Sequence, residues 1–405
     1  MANYSLHFSN CYQTVKLTKW ACSALFLLFS FSWLYWFQAD MLAVAQHGLS
    51  GGKTSYDRML GALIVTGVLL VLQLIVYAFT RLSRRTHALT YLPSFLLLAF
   101  VSSMHYPFRW GAWPWAAPLV LLLWGGSVWL AKKVYPFEND AKEPVALFSR
   151  RVWLNLLQMA AMMLGVVALS NTNAVDHYKA HAEVALLHDD AEEALRVGCR
   201  SLETDPSLTM LRTFALAQRG ELADHLFEYA ISGTSTDMLP LAGSHSHLTL
   251  LPDTLLWDFL GQRPDSLLLL TDSLGQPLFR APLTAKRYLD LLAAADTLSG
   301  DRPLPYVDYS LVGMLIDRQL DSFVVHLPRS YSLSAPDSLP RHYREALVLY
   351  RAQCDTSFMY SDASTENRWY QYMQLDSLYP RYTERRVRTD DSLRATYWYY
   401  YHQRQ

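Results

Sequence analysis

Five apolar runs, each free of charged side chains, fill most of the first 170 residues and constrain the fold more than any other feature. They lie at about 20–37, 59–79, 88–104, 113–131 and 152–170. A hydrocarbon core of ~30 Å takes about 20 apolar helical residues to cross. Within it, only helices or closed barrels satisfy every backbone N–H and C=O group. The runs predict a bundle of about five transmembrane helices over residues 1–170. The third run is short, and the fourth carries Pro114 and Pro118 near its start.

Lysine and arginine at the span ends set the orientation. One set of flanks holds Lys16, Lys19, Arg81, Arg84, Arg85, Lys132, Lys133, Lys142, Arg150 and Arg151, whereas the opposite connections hold only Lys53, Arg58 and Arg109. Ten against three puts the N-terminus on the cytoplasmic side, and an odd number of spans then puts everything after Ser170 outside. The expected location is a bacterial inner membrane, with a periplasmic C-terminal domain. A cleaved leader is the competing reading of the first run, with a basic stretch at Lys16 and Lys19 and small residues at Ala43-Val44-Ala45. Gln73, Asn155 and Gln158 are the polar residues inside the spans. Interhelical hydrogen bonding explains them better than a transport path, which calls for ionisable groups.

The charge pattern changes at the same place. The whole chain carries 35 Lys+Arg and 36 Asp+Glu, a formal net charge of −1. Residues 1–170 hold 13 basic and 5 acidic side chains, and residues 171–405 hold 22 and 31. A neutral average therefore conceals a basic membrane half and an acidic polar half. This balance argues against a nucleic-acid partner. Four cysteines, Cys11, Cys22, Cys199 and Cys354, make no disulfide framework and no metal-ligand spacing.

From Asn171 the apolar residues fall at helical spacings. Asp176–Glu203 predicts two helices broken near His188-Asp189-Asp190, and Asp205-Pro206 ends the pair. The plan recurs as Leu208–Gln218, a break at Gly220 and Glu221–Tyr229. Ala191–Leu195 and Leu222–Leu226 stand 31 residues apart, near the tetratricopeptide period. Ser232–Pro252 reads as a loop. Further helices are expected at Leu283–Leu298, Tyr309–Leu327, Arg341–Gln353, Glu366–Leu378 and Tyr382–Tyr401. No stretch alternates at period two, so the second half is expected to be an all-α, tetratricopeptide-like repeat domain over 171–405. Stacked pairs of this kind bury a shared core and form extended binding surfaces.

Three segments, Asp205–Tyr229 (DPSLTMLRTFALAQRGELADHLFEY), Leu339–Tyr350 (LPRHYREALVLY) and Thr396–His402 (TYWYYYH), resemble one group of proteins. These are uncharacterised Bacteroidota multi-pass inner-membrane proteins with a tetratricopeptide-like extracytoplasmic domain. The resemblance spans most of the chain and implies a location and an architecture, but no reaction.

Candidate sites compete with simpler explanations. Gly51-Gly52-Lys53-Thr54 has His47 where a phosphate-binding loop needs glycine, so no nucleotide and no other cofactor is expected. His245 and His247, with His225 and Asp253 nearby, fall in a Ser/Gly-rich loop unsuited to a metal frame. Asp189, Asp190, Glu192 and Glu193 suit the start of a helix. Cys199 and Cys354 read either as a disulfide or as two buried thiols in helix faces. Arg381, Arg385, Arg386 and Arg388 read as ion-pairing residues or as a lipid-headgroup contact.

Fourteen of the 25 tyrosines lie between Tyr306 and Tyr401, and arginine outnumbers lysine twenty to two after Ser170. Interfaces favour both residue types. The expected interaction surface comprises Tyr343, Arg344, Tyr350, Arg351, Tyr397, Trp398, Tyr399, Tyr400 and Tyr401, with packing as the competing role of the terminal aromatics. The leading expectation is a non-enzymatic membrane protein, held in the lipid bilayer, whose outer domain binds a protein or peptide. The alternative is an enzyme or transporter acting on lipid or cell-envelope glycan through Met41–Asp57 and His105–Trp110. Its polar actors would be Asp40, His47, Asp57, His105 and Arg109.

Overall fold

In the computed structural model, residues 2–82, 84–104, 113–134, 149–265, 282–295, 305–333, 338–353, 360–379 and 389–402 are described. Every regular element among them is helical. The chain divides into two compact units, Met1–Ala180 and His181–Gln405. The division falls ten residues beyond Ser170, inside a helix spanning Ala174–Leu187.

In the first unit, α1 (Ala2–Ser32) continues as a wider π turn over Trp33–Phe37. After it come α2 (Ala39–Ser50), α3 (Arg58–Thr80), α4 (Leu92–Ser102), α5 (Trp113–Val134) and α6 (Arg150–Leu169). Among the described residues, three helices are long and apolar enough to cross a membrane: Val15–Phe37, Arg58–Thr80 and Arg150–Leu169. The third apolar run is divided between a 3-10 segment, Arg84–Tyr91, and the 11-residue α4, which carries Pro93 in its first turn. The fourth run lies within α5, which carries Pro118 in its interior. Met41–Ser50 is helical rather than loop. Gly51, at φ 59°, ends that helix and returns Gly52 N–H to the His47 carbonyl at 3.0 Å, so helix capping accounts for the Gly-Gly pair.

Phe26, Leu69, Tyr91, Phe95, Leu98 and Met159 form the first unit's core. Leu60, Ile64, Val71 and Ile75 of α3 and Leu157 and Leu164 of α6 are exposed, an outward face suited to lipid. The span amides cross-link the bundle. Asn155 Oδ1 accepts the Ala88 N–H at 2.8 Å, and Gln73 donates to Thr90 Oγ1 at 3.2 Å. Lys19, beside the first apolar run, donates to the Tyr77 hydroxyl at 2.6 Å and lies 4.6 Å from that ring's centre.

The second unit begins within α7 (Ala174–Leu187). It proceeds through α8 (Ala191–Arg196), α9 (Pro206–Arg219), α10 (Leu222–His225) and α11 (Asp253–Leu260). Then follow α12 (Ala285–Ala295), α13 (Pro305–Ile316), α14 (Leu320–His326), α15 (Arg341–Gln353), α16 (Ala363–Leu378), α17 (Asp391–Arg394) and α18 (Tyr397–His402). Local chemistry sets the clearest boundaries. Asp205 accepts the Leu208 N–H at 2.8 Å and Pro206 opens α9, while Gly220 closes it at φ 69°. One hydrophobic core runs from Ala182 through Phe214, Tyr309 and Leu347 to Trp398.

Several expected helices are shorter. The second helix of each predicted pair is reduced to a turn or two: Val197 turns extended and Gly198 takes φ 60° after α8, and α10 passes into a 3-10 turn over Leu226–Glu228. Cys199 and Leu202 therefore lie beyond that helix, and both are exposed. Tyr309–Leu327 is broken at Arg318, whose φ of 59° no helix continues. Of Tyr382–Tyr401, residues 382–388 lie outside the described residues, and the remainder is α17 and α18.

Candidate interaction site

The expected surface is built largely on α15 and α18. Alternation of polar and apolar residues along α15 turns His342, Tyr343, Glu345, Ala346 and Leu349 inward. Tyr343, Tyr397 and Trp398 are wholly buried, which removes them from any surface and assigns them to the core. The reason is the aromatic content itself: Phe227 stacks edge-on to Tyr397 at 5.0 Å, and Trp398 meets Trp369 at 5.4 Å. Arg344, Tyr350, Arg351, Tyr399, Tyr400 and Tyr401 are half-buried.

The arginines of this region are engaged in pairs. Arg344 reaches Asp362 at 3.5 Å, and Arg351 reaches Glu366 at 2.8 Å. Arg341 joins four groups: Glu228 at 2.7 Å, Glu345 at 3.0 Å, the Ala395 carbonyl at 2.8 Å and, through its backbone N–H, Asp224 at 2.6 Å. Burial pushes the Glu345 carboxyl up, but the neighbouring His342 and Arg341 and the Tyr397 N–H together hold it below its usual range. Burial and the nearby Asp224 raise Asp308, against the lowering effect of the Tyr331 and Tyr343 hydroxyls.

A second feature lies where α13 ends. The Ser232–Pro252 loop is pinned by two carboxylates. Asp237 accepts the Thr234 N–H at 2.9 Å and the His245 N–H at 2.7 Å. Those hydrogen bonds outweigh burial and keep Asp237 below its ordinary range. Glu183 accepts the N–H groups of Thr249, Leu250 and Leu251. Between this loop and the end of α13 opens a cleft of about 390 Å³, lined by Gly233, Thr234, Thr236, Ile316, Asp317 and Arg318. Arg318 lies over the rings of Tyr400 and Tyr401, at 5.1 and 5.8 Å, and donates to the Tyr400 carbonyl at 3.0 Å. The half-buried C-terminal tyrosines thus support one wall of an open polar cleft.

Sequence reasoning missed this cleft. Arg318 stands inside a continuous helical pattern, and only the Gly233 turn gave a local signal. The other candidates disperse. His245 is exposed and touches Asp237 at 3.3 Å, and among the described residues no three His, Cys, Asp or Glu side chains gather to hold a metal. Asp40 pairs with Arg58 at 3.4 Å, and Asp57 caps α3 through the Leu60 N–H at 2.7 Å. Asp190, from the acidic run, caps α8 through the Glu193 N–H at 2.9 Å. His105, Arg109, Cys354, Arg381, Arg385, Arg386 and Arg388 lie outside the described residues. Compared with family models, curated proteins and solved structures, the chain matches none of them.

Proposed function

We propose that this chain is a non-enzymatic, multi-pass protein of a bacterial inner membrane whose second unit faces the periplasm and binds a protein or peptide. The three long apolar helices support the membrane assignment. The ten-to-three bias of basic flanks supports five spans with a cytoplasmic N-terminus. The helical pairs around Asp205–Tyr229 support a degenerate tetratricopeptide-like stack, in keeping with the Bacteroidota group whose sequences the chain resembles.

The cleft between the Gly233–Thr236 turn and the end of α13 carries the binding reading. It is open, polar and backed by aromatic rings, which suits recognition of an extended chain. Photo-crosslinking in native membranes tests it, with the reactive residue placed at Thr236, Arg344 or Tyr399 of the full chain. A discrete protein adduct from these positions is expected, and the partner it identifies should no longer copurify when residues 171–405 are deleted. Absence of any adduct, or the same partner copurifying after the deletion, overturns the reading.

A further inference from the structure

We infer that the cleft beside Arg318 takes a carboxylate, the free C-terminus of an extended peptide, on the Arg318 guanidinium. This rests on the binding reading above and names its chemistry.

Arg318 occupies a position that helices usually give to glycine. It follows the last turn of α13 at φ 59°, with Gln319 N–H returning to the Met314 carbonyl at 2.8 Å. A side chain held in that left-handed region is strained, and such strain gathers at functional positions. The conformation lays the guanidinium across Tyr400 and Tyr401 and against the Tyr400 carbonyl. Its Nε is closed off from solvent with no hydrogen-bond partner, one terminal nitrogen is held by the Tyr400 carbonyl, and among the described residues Arg318 makes no ion pair. Arg341, Arg344, Arg351 and Arg368 all rest on carboxylates instead.

Among the described residues the adjacent carboxylate makes no ion pair with it. Asp317 is committed to Ser235, accepting its N–H at 2.9 Å and its hydroxyl at 2.5 Å. What remains is a guanidinium without an ion pair, anchored on one side, at the edge of an open cleft of about 390 Å³. A carboxylate oxygen suits its open side as a charge-assisted acceptor. Asp317 in the wall, and 31 acidic against 22 basic residues over 171–405, oppose a dianionic phosphate more than a single negative charge. The Thr234 and Thr236 side of the cleft offers polar groups to the last residues of a bound peptide.

The test uses the full chain in lipid nanodiscs and a pool of fluorescent hexapeptides, each made with a C-terminal carboxylate and again with a C-terminal amide. Anisotropy should find acids whose amide twins bind about tenfold more weakly, the scale of one lost charged contact. Arg318→Gln should abolish that discrimination, and Arg318→Lys should retain part of it. The acid–amide comparison on the unaltered chain stands even if the variants fail to fold. Equal binding of acid and amide, no binding by any peptide, or discrimination unchanged in a folded Arg318→Gln overturns the inference. Displacement by inorganic phosphate but not by acetate overturns it in favour of a phosphate site. If crosslinked adducts form while acids and amides bind alike, only the carboxylate inference falls; if no adduct forms, the binding reading falls as well.

Discussion

Nδ1 of His342 lies 2.9 Å from Oε2 of Glu345, and neither side chain is exposed to solvent. The same Glu345 oxygen accepts the Tyr397 N–H at 2.7 Å, and its second oxygen meets Arg341 at 3.0 Å. One buried carboxylate therefore ties α15 to the start of α18. Removing it strands the groups that face it, so Glu345→Ala should cost about 3–5 kcal/mol, the usual consequence of breaking a buried charged pair. Glu345→Gln keeps the shape and loses the charge. Because the folded carboxyl titrates below its unfolded value, its contribution is present above the unfolded pKa and disappears as pH falls through the folded one. Thermal unfolding of the full chain in detergent, followed from pH 7 down to pH 3, should show a weaker acid dependence in Glu345→Gln than in the wild type. Identical profiles would show that the charge contributes nothing.

Asp308 has the opposite sign. Its Oδ1 accepts the hydroxyls of both Tyr331 and Tyr343 at 2.8 Å, in a site where burial raises the carboxyl pKa. A raised acid favours the folded state below its unfolded pKa, and that advantage is lost as pH rises through the folded value. Asp308→Asn keeps an acceptor for both tyrosines and cannot ionise. It should match the wild type near pH 4 and equal or exceed it at pH 7. Asp308→Ala leaves the two hydroxyls without their acceptor and should cost about 1–3 kcal/mol at either pH. Melting temperatures of the three proteins at the two pH values decide the matter.

What was legible in the chain followed the strength of local chemistry. Gly220 marks the end of α9 and α15 begins and ends where its periodicity places it, whereas Asp205-Pro206, expected to close the preceding pair, instead opens α9. The break at Arg318 was not legible, since no glycine or proline announces a left-handed residue there. Gly198 did announce the end of α8, but apolar periodicity running on to Cys199 and Leu202 masked it. The TYWYYYH segment is aromatic on every side, so periodicity alone separates no inner face from an outer one. Only packing against Phe227 and Trp369 buries Tyr397 and Trp398 and leaves Tyr399, Tyr400 and Tyr401 partly open. The Arg318 cleft joins segments more than 80 residues apart, and no spacing rule connects them.

Glu183 holds a loop rather than a helix. Its carboxylate gathers three consecutive N–H groups, from Thr249 to Leu251, at the end of the Ser232–Pro252 segment. Charge-assisted bonds of this kind are roughly twice as strong as neutral ones. Glu183→Gln turns a donor towards these N–H groups and should cost about 1.5–3 kcal/mol. The effect should concentrate in the loop. Hydrogen exchange at 249–251 should accelerate strongly while α15 exchanges as before. Uniform acceleration across both would mean that the carboxylate supports the whole unit.

The amides of the membrane unit should differ in weight because their partners have different alternatives. Asn155 Oδ1 is an acceptor for the Ala88 N–H, and Asn155 Nδ2 donates to the Arg151 carbonyl at 2.8 Å. Replacing it by leucine leaves a buried backbone N–H at the head of the third apolar run without that acceptor, which should cost about 1–2 kcal/mol. Gln73 instead donates to a Thr90 hydroxyl that already donates to the His87 carbonyl at 2.8 Å. Gln73→Leu therefore leaves Thr90 with a partner and removes a polar group from an apolar helix, so its effect should be smaller than that of Asn155→Leu. Melting temperatures of the two variants in the same detergent test the order. If Gln73→Leu proves the more damaging, the Gln73–Thr90 bond rather than the Asn155 contact holds the 3-10 segment against α3 and α6.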